Sequence, residues 1–263
     1  MRIKVNFSPS VSFLVRDYRR YFISFLKTIF TSQGIYDDLY DEKKAKPFSF
    51  SIWFGEDFRT DDEKITLGEN LSLVFSSGDP RILAAFYNGT LDLKKKEEEI
   101  SLGEGKLVVQ DISLLPHCKI FSNQVLFKTI GISVLTDPSA SAKDFKQWYL
   151  LPTEDLAWFN KVLKERIKGR YKYLKNEDKE FNLEFKNLTD SEFQILKAGC
   201  LIGLKFDKPI KETLVEHYDG YVRGFRGVFW LSGESEILQF IYDYGFGVRT
   251  GQGFGLLDII TQC

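Results

Sequence analysis

Five glycines fall between Gly245 and Gly255, in the run Tyr244-Gly245-Phe246-Gly247-Val248-Arg249-Thr250-Gly251-Gln252-Gly253-Phe254-Gly255. Glycine lets a backbone adopt φ > 0 at little steric cost and lets N–H groups approach a ligand closely. Successive N–H groups in such a turn can cradle an anion. Arg249 adds a permanent charge and a fork that matches phosphate. The chemistry this spacing suggests is the holding of a phosphate-bearing partner. A glycine-rich turn that merely closes a helix is the competing reading.

The order of elements excludes two familiar phosphate loops. Dinucleotide and nucleoside-triphosphate sites place the glycines after a strand and before a helix. Here a helical pattern (236–244) precedes the glycines, and the apolar run Leu256-Leu257-Asp258-Ile259-Ile260 follows them. The Lys-Ser/Thr pair of a P-loop is also absent from this run. A small-molecule enzyme using the loop for a nucleotide is therefore disfavoured.

Charge is balanced at −1 over 263 residues, which argues against a protein basic all over. A local basic stretch does occur: Lys161, Lys164, Arg166, Lys168, Arg170, Lys172 and Lys175, interrupted by Glu165. It reads as an RNA-tracking helix or as a solvated helix face. Arg223 and Arg226, with Tyr218, Tyr221 and Phe225 between and before them, suit phosphate contact and base stacking. Two histidines are present; His117 reads as part of an interdomain turn and His217 as part of a surface loop. Three scattered cysteines lack metal-ligand spacing, so no metal is expected and a reducing cytoplasm is the expected compartment. No run of eighteen apolar residues suggests a membrane span.

The elements that must position these residues follow from periodicity. The 43% hydrophobic content, with 24 Phe and 12 Tyr, is enough for a real core and suits strands. Residues 1–7 alternate as a strand, and 17–31 carry apolar residues at helical spacing with Asp17 as the expected N-cap. A short helix over 36–43, strands over 48–54 and 71–77, a helix from Asp79-Pro80 to about 87 and a strand over 106–114 complete the first half. The second half reads as a strand over 125–135, a helix over 153–173, strands over 182–186, 197–206 and 221–231, a helix over 234–244 and a last strand over 256–260. Each half has the order βαββαβ, so the fold expected is α+β: two tandem ferredoxin-like (RRM-like) domains, 1–124 and 125–263. Such pairs serve as RNA platforms, because sheet faces can present aromatic and basic side chains to unstacked bases.

This tandem pattern with a glycine loop near the C-terminal end resembles the CRISPR-associated repeat-cleaving endoribonucleases of the RAMP superfamily. The glycine run carries the resemblance most sharply. The segments Leu39–Ser51 and Phe127–Val134 are similar to the family's entry to its second strand and to the strand opening its second domain. The resemblance implies metal-free, cofactor-free cleavage of repeat RNA, in which a 2′-hydroxyl attacks the adjacent phosphate and leaves a 2′,3′-cyclic phosphate and a 5′-hydroxyl. It implies RNA contacts at Arg223, Arg226, Gly245, Gly247, Arg249, Gly251, Gly253 and Gly255. It implies Lys46 as the family lysine and places Tyr40 where many members carry a catalytic histidine. The family's helix tyrosine falls nearest Phe25, with Tyr21 and Tyr36 as substitutes. Partners implied are precursor crRNA, subunits of a CRISPR effector complex and a second copy of the chain, with no membrane. Because the histidine is missing, a repeat-binding protein that does not cut and a scaffold subunit of an effector complex stand beside the enzyme as alternatives.

Overall fold

The structure, a computed structural model, describes residues 1–40, 44–140, 145–199 and 208–262. By contacts the chain forms two compact units. The first comprises Met1–His117, Val215–Tyr221 and Gly251–Gly253; the second comprises Cys118–Leu214, Val222–Thr250 and Phe254–Cys263.

In the first unit the order is β1 (Arg2–Pro9), β2 (Phe13–Val15), α1 (Arg19–Ser32), α2 (Tyr36–Tyr40), β3 (Ser49–Trp53), β4 (Arg59–Thr60), β5 (Lys64–Thr66), β6 (Ser72–Ser76), α3 (Pro80–Lys95), β7 (Ile100–Leu102) and β8 (Gly105–Leu115). Antiparallel pairing gives the sheet order β3-β6-β1-β8-β7. With β1, β3, β6 and β8 as the four main strands, this is the ferredoxin-like arrangement. Alternation along β1 sends Ile3, Val5 and Phe7 into the core. They meet the apolar stripe of α1, including Phe22, Phe25 and Ile29. Phe75 and Phe86 stack with ring centroids 4.1 Å apart. Complete burial of each such ring is worth about 1.5–3 kcal/mol. The small sheet β2-β5-β4 was not foreseen, because its strands are only two or three residues long.

The second unit runs β9 (Gln124–Ile130), α4 (Leu156–Lys175), β10 (Leu183–Asn187), α5 (Asp190–Ala198), β11 (Ile210–His217), β12 (Gly220–Gly233), α6 (Ser235–Tyr244) and β13 (Leu256–Gln262). Its sheet order is β10-β12-β9-β13, with β11 on β12. The same ferredoxin-like order therefore occurs twice. Phe185, Phe225, Phe229 and Phe246 pack together in its core.

Four local expectations change. Asp17 is not a helix cap: the N-cap of α1 is Tyr18, without a side-chain hydrogen bond. The strand expected over 197–206 begins inside α5, whose Thr189 and Glu192 form a reciprocal capping box; residues 200–207 lie outside the described residues. The expected strand 125–135 ends at Ile130, where Gly131 turns the chain with φ 90°. Phe225 is fully buried, so it packs the core and cannot stack a base as placed.

Candidate active site and RNA-contacting residues

The residues expected to act together divide between the units. Tyr40, Lys46, Gly251 and Gly253 fall in the first; Arg223, Arg226, Gly245, Gly247, Arg249 and Gly255 fall in the second.

In the first unit, Tyr40 closes α2 and Lys46 lies on the segment entering β3. The Lys46 ammonium sits 4.9 Å from the centre of the Tyr40 ring and donates to the Leu39 carbonyl oxygen. The Lys27 ammonium lies 5.4 Å from the same ring. Tyr36 stacks on Tyr40 with centroids 5.0 Å apart. Two cations thus lie against one aromatic ring. Burial, then the charge on Lys27, lowers the pKa of Lys46 below the usual lysine value. The Tyr40 hydroxyl is buried and has no hydrogen-bond partner among the described residues. Burial raises its pKa well above the usual tyrosine value, with smaller contributions from Tyr36 and Tyr218. Tyr40 is therefore neutral at any physiological pH, able to donate or accept a hydrogen bond but not to serve as an anionic base. The neighbouring residues 41–43 lie outside the described residues.

The 251–253 turn packs against this group. A methyl at Gly251 would come within 2.6 Å of Lys46 Cγ, so glycine here lets the turn rest on the lysine stem. Gly253, at φ 84°, lies against the Phe50 ring and Arg19 Cδ. Gln252, between them, faces His217: its Oε1 is 3.3 Å from the ring Nε2. His217 is buried rather than exposed on a loop, and its Nδ1 lies 3.6 Å from Asp17 Oδ1. Spacing in sequence gave no sign of this, because Asp17, His217 and Gln252 are far apart along the chain. Phe25, nearest the family's helix tyrosine, is buried in the core, whereas Tyr36 joins the Tyr40 cluster.

In the second unit, much of the glycine run serves structure. The N–H groups of Gly245, Phe246, Val248 and Gly255 donate to the carbonyl oxygens of Ile241, Gly255, Val134 and Ile132. Gly247 has φ 69°, and a methyl there would lie 2.2 Å from the Val134 oxygen. These four N–H groups are not available for an anion nest. Arg170, expected on the basic helix face, is buried instead. It donates to the Gly245 carbonyl at 2.9 Å, to Thr250 Oγ1 at 2.9 Å and to the Tyr244 carbonyl. It thus satisfies carbonyls left over at the end of α6. Elsewhere on that helix, Lys168 pairs with Glu180 and Lys172 with Asp178. The helix is a neutralised face more than a bare basic track.

Arg249 is exposed and left-handed at φ 58°. With Thr136, Asp137, Ala140, Trp148 and Tyr149 it lines a cleft of about 270 Å3. Arg223 has a different setting. Its Nε lies 2.6 Å from Glu212 and its Nη2 2.6 Å from Glu154, which raise its pKa further. Its side chain is only 11% exposed. A phosphate reaches Arg223 only by displacing a carboxylate. Arg226 is half-buried on β12. Among the described residues, no group of three or more His, Cys, Asp or Glu side chains is placed to hold a metal ion. None of the described helices is long and apolar enough to cross a membrane.

Comparison with known proteins agrees with this architecture. A family model described as CRISPR associated protein Cas6, C-terminal, matches residues 115–259. The endoribonuclease-like protein Cas6 of Pyrococcus furiosus is 29% identical over 199 residues, covering 74% of this chain and 70% of that one. The CRISPR-associated endoribonuclease Cas6 1 of Methanocaldococcus jannaschii is 26% identical over 220 residues, covering 83% and 76%. A solved structure described as a RAMP protein binding different RNA substrates superposes with a TM-score of 0.78 at 23% identity, over 99% of this chain and all of the other. That likeness speaks to fold. The family model spans more than half of the sequence, and the chain belongs to the Cas6 family of CRISPR-associated proteins.

Proposed function

We propose that this protein binds CRISPR repeat RNA and cuts it endonucleolytically, processing precursor crRNA in the cytoplasm without a metal ion. Family membership, one relative named an endoribonuclease and another named endoribonuclease-like support the activity. The observation that carries the site is the pair of ammonium groups, Lys27 and Lys46, at the Tyr40 ring, with the Gly251 turn against the Lys46 stem.

The reaction has one bond made and one broken. The 2′-oxygen, giving up its proton to water, attacks the adjacent phosphorus; the bond to the 5′-oxygen breaks, that oxygen takes a proton from Lys46, and a 2′,3′-cyclic phosphate and a 5′-hydroxyl result. Charge accumulates on the non-bridging oxygens, and a fixed ammonium there stabilises the transition state more than the ground state. Lys46 takes that role. Its lowered pKa also makes it the better proton donor to the departing 5′-oxygen. The Tyr40 hydroxyl is buried and does not reach the RNA as placed; its ring holds the Lys46 ammonium in position. Arg249 holds a phosphate beside its aromatic cleft, and Arg223 and Arg226 contribute more weakly.

A second reading, binding without cleavage, is favoured by one observation: the Tyr40 hydroxyl at the histidine position is buried and held neutral. Incubation with labelled repeat RNA in EDTA separates the two. A discrete cut with a 2′,3′-cyclic phosphate end is expected. Tight, salt-sensitive binding with no cut supports the second reading, and neither binding nor cutting overturns both.

A further inference from the structure

The turn joining β11 to β12 is built against local preference. Tyr218 and Asp219 both have left-handed backbones, at φ 50° and 58°. For residues with a Cβ each such conformation costs roughly 1–2 kcal/mol. Hairpin turns of this type normally take Asn-Gly or Asp-Gly at these two places. Here the first place is a tyrosine, and glycine comes one residue later.

The strain is held by a specific set of contacts within the first unit. The Tyr218 N–H donates to Asp17 Oδ2 at 3.1 Å. Asp17 Oδ1 faces His217, which faces Gln252 on its other side. The buried His217 ring meets the Tyr218 ring edge-on at 4.6 Å. Asp17 is thereby diverted from capping α1. What this arrangement displays is the Tyr218 side chain, 51% exposed. Gln252 is the neighbour of Gly251, which rests on Lys46. The ionisation of Tyr40 also responds to Tyr218, as expected of two hydroxyls in one neighbourhood. Strain of this kind persists where the surroundings over-determine it, and it concentrates at functional sites.

We propose that Tyr218 is a substrate-contacting residue of the cleavage site, presenting a neutral hydroxyl and an aromatic edge to the nucleotide that is cut, with Asp17 and His217 as its positioning residues. This rests on the endoribonuclease reading above. The hydroxyl is an uncharged donor on a turn that is linked through His217, Gln252 and Gly251 to the Lys46 stem. The ring adds a face or edge for the flanking base.

Two measurements on the full chain test it. In the first, single-turnover cleavage of repeat RNA is compared for wild type and Tyr218→Phe, with the affinity for an uncleavable 2′-deoxy repeat measured alongside. Tyr218→Phe keeps the ring, so the fold is retained; the rate should fall at least tenfold while Kd stays within about twofold. A wild-type rate in the Phe variant overturns the proposal and leaves the endoribonuclease reading standing. The second measurement does not need cleavage. With 3-fluorotyrosine at 218, the fluorine resonance should shift on adding the 2′-deoxy repeat and saturate with binding, whereas 3-fluorotyrosine at Tyr87 should not shift. An unmoved signal at 218 with RNA bound overturns the contact. Asp17→Ala should lower the cleavage rate, and Asp17→Asn, which still accepts from the Tyr218 N–H, should recover most of it; equal losses would overturn the positioning role.

Discussion

Lys46 and Arg223 are both cations at positions that the family resemblance marks for RNA, and their surroundings are opposite. Arg223 is clamped between Glu154 and Glu212 at 2.6 Å each, which stabilises its charge and fills its donors. Lys46 lies over an aromatic ring that Lys27 also approaches; burial first, and the charge on Lys27 second, lower its pKa. The first arrangement is self-sufficient. The second gains from an added anion, because a phosphate would relieve the repulsion between the two ammonium groups. A cation's worth to a nucleic acid depends on which counter-charge it already has.

The largest effect should follow from Lys46→Ala. Loss of one charge-stabilising donor typically costs 10²–10³ in rate. We expect cleavage to fall by about that factor, with a much smaller loss of binding. Unchanged single-turnover cleavage would place the chemistry elsewhere. Gly251→Ala comes next, because its methyl meets the Lys46 stem and must displace it. A rate loss of roughly tenfold, about 1.4 kcal/mol, is expected with the thermal midpoint little changed; a large fall in that midpoint would instead make the turn a structural element. Arg249→Ala should weaken binding modestly and reduce the slope of log K against log salt by about 1. An unaltered slope would mean that Arg249 touches no phosphate. Arg223→Gln should matter least to RNA, changing its Kd by less than about threefold. It should lower stability instead, because Glu154 and Glu212 lose their shared partner. A tenfold loss of affinity there would break the comparison.

The pH profile sharpens the same contrast. Tyr40 has a raised pKa, so its hydroxyl stays protonated through the alkaline range, and no gain in rate from its ionisation is expected. Lys46 has a lowered pKa, so its charge is present below that value and lost as pH rises through it, earlier than for a lysine in water. Cleavage should therefore decline on the alkaline side. A rate still rising there in the Tyr40→Phe variant would point to a different acid–base pair.

Much of the fold was legible in the sequence because it rests on period. The stripe from Phe22 to Phe30 and the alternation of Ile3, Val5 and Phe7 each have one solution as an element. The Asp79-Pro80 start of α3 was legible too, through proline in the first turn; in the structure the Asp79 side chain also accepts from the Arg81 N–H. Thr189-x-x-Glu192 was an equally clear helix start, and the apolar run that follows obscured it. Lys46 was marked by the family resemblance, not by periodicity; it lies on the segment entering β3. What escaped was anything joining distant segments. Arg170 lies among surface lysines in sequence and serves the carbonyls of residues 244 and 245 in space. His217 reads as a loop residue until Asp17 and Gln252 enclose it. The Tyr218-Asp219 turn lacks the glycine placement that would announce it, and its strain is itself the signal that sequence patterning misses.

The most direct test is a set of repeat RNAs, each with a single 2′-deoxy nucleotide, incubated with the wild-type protein in EDTA. The account predicts one cut, abolished by one of those substitutions alone and indifferent to the others. A cut that survives every substitution, or that requires a divalent metal, would contradict it.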